Sequence, residues 1–102
     1  MITLKTAVKM AYNIAYNQEI GMVLSKECYE LKDKWCVDIF VKAEKGEKPI
    51  PGGGYSLVIY KETGKTKKVI LPSNEGFALL HEIEQSGKET DISEYIKELE
   101  LE

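Results

Sequence analysis

Residues 49–71 read PIPGGGYSLVIYKETGKTKKVIL, and this stretch decides the fold. A Pro-Gly segment leads into an alternating run, a turn at Thr63-Gly64 follows, and a second alternating run closes a β-hairpin at the centre of the chain. Gly52-Gly53-Gly54 does not read as a phosphate loop. Such a loop needs a helix directly after it, with free N–H groups aimed at the anion, and here a strand follows. The glycines are read instead as allowing a sharp bend or a close backbone approach where the strand begins. Taking Glu62-Thr63-Gly64 as a three-residue loop, with Gly64 left-handed, pairs Leu57 with Val69 and Ile59 with Lys67. Tyr55, Leu57, Ile59, Val69 and Leu71 then share one face. A two-residue loop at Thr63-Gly64 would mix the faces, so the first register is preferred.

Upstream, Trp35, Val37, Ile39 and Val41 alternate with Cys36, Asp38, Phe40 and Lys42, the pattern of a half-buried strand. Lys32-Asp33-Lys34 makes a polar turn, and residues 22–31 before it are strand-like with blurred alternation, giving a first hairpin. Residues 3–17 read as an amphipathic helix: Leu4, Ala7, Val8, Ala11, Ile14 and Ala15 form one stripe, with Thr3 as its N-cap. Gly21 is placed to end this region. Downstream of Pro72, Ser73 caps a short helix whose stripe is Phe77, Leu79, Leu80 and Ile83, ending at Gly87. Asp91 and Glu94 mark a last helix carrying Ile92, Tyr95, Ile96 and Leu99. The expected architecture is a single α+β domain over residues 1–102. An N-terminal helix packs on an antiparallel sheet of about four strands made of two hairpins. Two short C-terminal helices follow, with a helical extension over about residues 88–102. Trp35, Val37, Ile39, Leu57, Ile59 and Val69 should form a core with Leu4, Val8 and Ala11.

With 102 residues, 43% of them hydrophobic and 30% charged, the chain is long enough for one core and has the composition of a globular protein. No apolar run approaches the roughly 18 residues of a spanning helix, so no membrane partner is expected. The opening residues lack a charged segment followed by an apolar block, so no secretory signal is read and the expected compartment is the cytoplasm. Cys28 and Cys36 sit in strand-like segments and read as packing residues rather than a bridge or a reactive thiol. Residues 1–72 carry 12 lysines and 8 acids, whereas residues 73–102 carry 2 lysines and 9 acids. There is no arginine, the side chain that grips phosphate and reads guanine in bidentate fashion, so no nucleic-acid partner is expected. The acidic C-terminal third suits a basic partner.

A catalytic reading finds little material. His81 is the only histidine, it lies off its helix stripe, and no Cys/His cluster has metal-ligand spacing. Asp38 could serve a small hydrolase as a general base only beside a partner in a deep pocket. The binding reading uses the sheet face opposite the core. Asp38, Phe40, Val58 and Tyr60 should lie there as partner-binding residues, since aromatics among polar groups make good anchors. In the competing arrangement the C-terminal helices cover this face and Phe40 is second-layer core.

The order helix, hairpin, Pro/Gly loop, hairpin, helix resembles the immunity protein 35 family of bacterial polymorphic toxin systems, including its small chaperone-like members. The matching features are Met1-Ile2-Thr3 before the first helix, Trp35 opening a strand, and Gly52-Gly53-Gly54 before another. Lys61-Glu62-Thr63-Gly64 matches the Lys-x-Thr-Gly part of the family's turn, with Tyr60 where the family carries aspartate. Glu94-Tyr95-Ile96 resembles its closing Glu-Tyr segment. The likeness covers roughly residues 1–85. It implies a bacterial cytosolic protein that needs no cofactor and binds and neutralises a toxin; with the acidic C-terminal third the expected protein partner is a basic toxin domain, and with no catalytic set the chain is not expected to be an enzyme. A chaperone-like or peptide- or ligand-binding module is the alternative, and a small hydrolase using Asp38 a further one.

Overall fold

The computed structural model describes residues 1–18, 22–41, 54–70 and 73–101. Their order is α1 (Leu4–Tyr12), a π-helical turn (Asn13–Gln18), β1 (Met22–Glu30), β2 (Lys34–Val41), β3 (Tyr55–Tyr60), β4 (Thr66–Val69), α2 (Asn74–Ser86), β5 (Lys88–Asp91) and α3 (Ser93–Glu100). The strands form one five-stranded antiparallel sheet in the order β4-β3-β2-β1-β5. The protein is therefore α+β, with an N-terminal helix and two C-terminal helices as the sequence pattern implies, but with one more strand than the two hairpins supply. That strand, β5, has no apolar alternation and is held by backbone pairing to β1, with Cys28 opposite Thr90 and Tyr29 opposite Glu89. Residues 88–91 are thus a strand rather than part of a helical extension. Asp91 does not begin α3 as its cap. Its carboxylate accepts from the Ser93 backbone N–H at 2.8 Å and from the Ser93 hydroxyl at 2.6 Å.

One face of the sheet carries α1 and α3. Thr3 caps α1 by accepting from the Thr6 N–H, and the expected stripe is buried at Ala7, Val8, Ala11 and Ala15. In the π-helical turn the i→i+5 bonding widens the coil, so residues four apart stay nearly aligned. Ala15 therefore stays buried like Ala11, and the Tyr16 ring lies 4.4 Å from that of Tyr12. These side chains meet Trp35, Val37 and Ile39 of β2, Leu57 and Ile59 of β3, Leu24 and Cys28 of β1, and Ile92 at the start of α3. The Val41 side chain, Gly21 and Leu71 lie outside the described residues.

The opposite face carries α2 and a smaller buried group of Leu31, Cys36, Val58, Val69 and Leu79. Val69 belongs here, not in the first core, because the β3–β4 register differs from the expected one. Tyr60 N–H donates to Lys65 O, Gly64 N–H donates to Tyr60 O, and Ser56 pairs with Val69. The loop is four residues, 61–64, with Gly64 at φ 73°, and the extra residue turns Val69 over. There Val69 is buried, with Lys67 opposite Val58 on the same face, whereas the expected register would have sent Thr66, Lys68 and Ile70 to this face of β4. Gly54 also behaves as expected for a close approach: a Cβ there would collide with the Ile39 carbonyl oxygen. The blurred alternation of β1 has a cause as well. Leu24 pairs with Ile39 and Cys28 with Val37, so residues 25–27 bulge opposite Asp38.

The turn end of the first face is closed by polar groups. Ile2 N–H donates to Lys61 O, and Trp35 Nε1 donates to Ile2 O at 3.0 Å. Lys61, 8% exposed, lies 4.7 Å from the Trp35 ring and 2.7 Å from Glu30. Among the described residues no helix is long and apolar enough to cross a membrane.

Candidate partner-binding surface

Strand alternation puts Asp38 and Phe40 on the second face, with Val58 and Tyr60 on the neighbouring strand, as the sequence implies. The structure then divides the four. Val58 is 3% exposed and packs in the group beneath α2, and Tyr60 is half-buried against that group. Phe40, in contrast, is 43% exposed, and Asp38 beside it accepts from the Ser56 hydroxyl at 2.6 Å. The competing arrangement, in which C-terminal helices cover this face, thus holds for one half of it. Only α2 contributes, because α3 packs on the other side.

How α2 lies follows from its ion pairs. Glu75 reaches Lys67 at 3.0 Å and Glu82 reaches Lys34 at 3.0 Å, and these acids are seven residues apart on one flank of the helix. Gly76, Leu79 and Ile83 face the sheet. The opposite flank carries Phe77, Leu80 and Glu84, spaced three and four apart. Phe77 is 59% exposed and Leu80 41% exposed. Val23, which pairs with Phe40, is half-buried on the same face, and Phe40, Phe77 and Leu80 are the exposed apolar shelf of this side of the sheet.

Carboxylates margin this shelf. Glu89 pairs with Tyr29 in register, and Glu27 lies in the β1 bulge. Their effect is felt by Tyr29: burial raises its phenol pKa, and the negative charges of Glu89, Asp38 and Glu27 raise it further. Glu84 adds charge on the helix side. Among the described residues no lysine forms an ion pair with any of these acids, and no three carboxylates, His or Cys stand close enough to hold a metal ion. The negative charge is therefore spread along the shelf rather than focused at a point.

Sequence reasoning missed Phe77, Leu80, Glu84 and Glu89 as parts of this surface. The apolar pair was read as helix stripe, and the signal against that reading is the buried Gly76-Leu79-Ile83 line, which leaves Phe77 and Leu80 to one side. His81 is exposed on α2, as expected, and the hydrogen-bond partner of Asp38 is Ser56. Cys28 and Cys36 are buried and unbridged, and burial pushes both thiols up to about 12. A hollow of about 490 Å³ at the turn end, lined by Met1, Lys32, Asp33, Lys61, Glu62 and Glu82, has its charges interleaved, with Lys61 and Glu82 already paired elsewhere. No family model, curated protein or solved structure matches the chain.

Proposed function

We propose that the protein acts by binding another protein on the open half of its second sheet face, and that it is a bacterial cytoplasmic immunity protein that neutralises a basic toxin domain without catalysis. The toxin part of this reading comes from the resemblance to the immunity protein 35 family. The binding part is supported by one observation above the others. Phe40 stands 43% exposed on the sheet face that also carries α2, two residues from Asp38, and Phe77 and Leu80 of α2 are exposed as well. Exposed apolar side chains among charged ones are what a partner-binding site presents.

The test is co-expression in a bacterial host with the toxin domain encoded beside its gene, followed by stopped-flow association of the purified pair. The expected result is protection of the host, a complex whose dissociation is faster when Phe40 is replaced by alanine, and association that slows as salt screens the acidic surface. Absence of both complex and protection would overturn the proposal.

A further inference from the structure

The two edges of the sheet are unlike. On β4 the lysines are engaged within the chain: Lys67 pairs with Glu75 at 3.0 Å, and Lys68 lies 5.0 Å from the centre of the Tyr55 ring. On β5, among the described residues, Glu89 and Asp91 are exposed and enter no ion pair. The phase of the β1–β5 ladder says which backbone groups are open there. Ile92 N–H donates to Lys26 O at 2.7 Å, and the register runs on through Thr90 opposite Cys28 to Lys88 opposite Glu30. Alternate residues of an antiparallel ladder turn both backbone groups to the same neighbour. Thr90 and Lys88 therefore turn theirs to β1, and Glu89 and Asp91 present N–H and C=O at the sheet edge. Residues 19–21, 42–53 and 71–72 join the strands at the opposite end of the sheet, beside Met22, Val41 and Val69, whereas β5 pairs with the turn-end half of β1. The side chains of this edge are also sorted by charge. Thr90 lies opposite Cys28 of the first core, so Thr90 and Lys88 belong to the first face. Glu89, opposite Tyr29, and Asp91, opposite Glu27, belong to the second. The Ser93 hydroxyl and N–H hold the Asp91 carboxyl below its usual range, so it stays an anion.

We propose that β5 accepts an extended segment of a partner protein as a further antiparallel strand, with lysine or arginine opposite Glu89 and Asp91 and an uncharged residue opposite Thr90. This contact is separate from the Phe40 surface and does not rest on the immunity reading. The open N–H and C=O groups of Glu89 and Asp91 supply the main-chain bonds, and opposite charges across the strands set the register. A slip of one residue would bring a basic side chain against Lys88. A second copy of this chain fits badly. Pairing β5 with β5 about a two-fold axis sets Glu89 opposite Glu89 or opposite Asp91, and like charges directly opposite are destabilising. Charge on a short edge strand blunts indiscriminate pairing. The same charge admits a strand of opposite sign.

The test uses synthetic peptides of about seven residues, an ordinary strand length. The first alternates threonine and lysine. The second carries N-methyl groups on its lysines, the third carries them on its threonines, and the fourth replaces lysine by glutamate. In the antiparallel pair the lysines opposite Glu89 and Asp91 turn their N–H groups to β5, so only their methylation removes bonds. Affinity and location are read from amide chemical shifts, and bonding from hydrogen exchange at saturating peptide. The first peptide should bind, shift the amides of residues 88–91 and slow exchange at Glu89 and Asp91. Methylation of the lysines should weaken it at least about fivefold, and methylation of the threonines less than about twofold, as loss of main-chain bonds predicts. The glutamate peptide should bind at least about fivefold more weakly, and Glu89→Lys should narrow that gap. Glu89→Pro removes an outward N–H that β1 does not use, so the variant should fold and bind at least about fivefold more weakly. Thermal melts check folding, and the methylated peptides test the wild-type chain whatever a variant does. Absence of binding, equal effects of the two methylation patterns, shifts centred away from residues 88–91, or full binding by folded Glu89→Pro would each overturn the proposal. Phe40→Ala should leave peptide binding unchanged, which separates failure at this edge from failure of the sheet-face reading.

Discussion

The two faces of the sheet are built from the same strands, yet one is closed and the other half open. On the first, α1 and α3 lie over β1, β2 and β3, and Val8, Val37, Ile39 and Ile59 are fully buried. On the second, α2 buries Cys36, Val58 and Val69, and Phe40, Phe77 and Leu80 are left exposed. Burial of apolar area is the main favourable term in folding, at roughly 25 cal/mol per Å². The first face therefore holds most of the stability, and the second is where surface that does not contribute to folding has been kept. That separation leaves Phe40, Phe77 and Leu80 at the surface without basing the fold on them.

The largest expected effect tests this division directly. Ile39→Ala on the closed face should cost about 2–5 kcal/mol, as deletion of a fully buried side chain in a packed core does. Leu79→Ala beneath α2 should sit at the low end of the same range, about 2 kcal/mol, because its site adjoins the exposed Leu80 and can relax. Urea midpoints of the two variants give the comparison. A larger loss for Leu79→Ala would mean that the second face, not the first, holds the fold.

The closed face is also the one that could be read in the sequence, and for a physical reason. Its stripe in α1 and its alternation in β2 and β3 are periodic, and period is the signal that burial leaves. What escaped reading lacked that signal. Residues 88–91 are polar and join the sheet through backbone bonds alone, so nothing in their side chains announces a strand. The β1 bulge at residues 25–27 breaks the alternation on which strand reading depends. The β3–β4 register turned on whether the loop holds three residues or four. Gly64 fits either, and only the buried place of Val69 under α2 decides it. Of the candidate site, Asp38 and Phe40 were legible as outward residues of β2. The exposed flank of α2 was not, because which flank of α2 meets the sheet is fixed by Lys67–Glu75 and Lys34–Glu82, pairings between residues far apart in sequence.

Next in size is the polar closure of the first face. Lys61→Ala removes both the ion pair with Glu30 and the stacking on Trp35, and should cost about 1–3 kcal/mol, less than a fully buried pair because Glu30 reaches solvent. Lys61→Met keeps an apolar stem over the indole and should cost less. Equilibrium unfolding followed by Trp35 fluorescence measures both, and equal losses would assign the effect to charge alone. A smaller effect is expected at the turn beside it. Gly64 sits at φ 73°, where a Cβ meets its own carbonyl, so Gly64→Ala should cost about 1–2 kcal/mol through backbone strain. A neutral result would show that the loop shifts to another register, visible as altered Ser56 and Val69 amide resonances.

The smallest effect belongs to the open half, where little change is itself informative. Phe40 and Phe77 present large apolar surfaces to water, and each side chain is about half exposed. Replacing either by serine removes area that folding has not buried, so stability should stay within about 0.5 kcal/mol, as for surface positions generally. Aggregation on heating should fall, since exposed apolar side chains favour association of unfolding intermediates. Thermal melts with light-scattering detection read both quantities in one experiment. A loss of more than about 1.5 kcal/mol for Phe40→Ser would place it among core-like positions. The open half would then be a weakly packed extension of the second core, and the two faces would differ in degree of closure only. Stability held constant while partner affinity falls is the combination that a structural residue cannot produce.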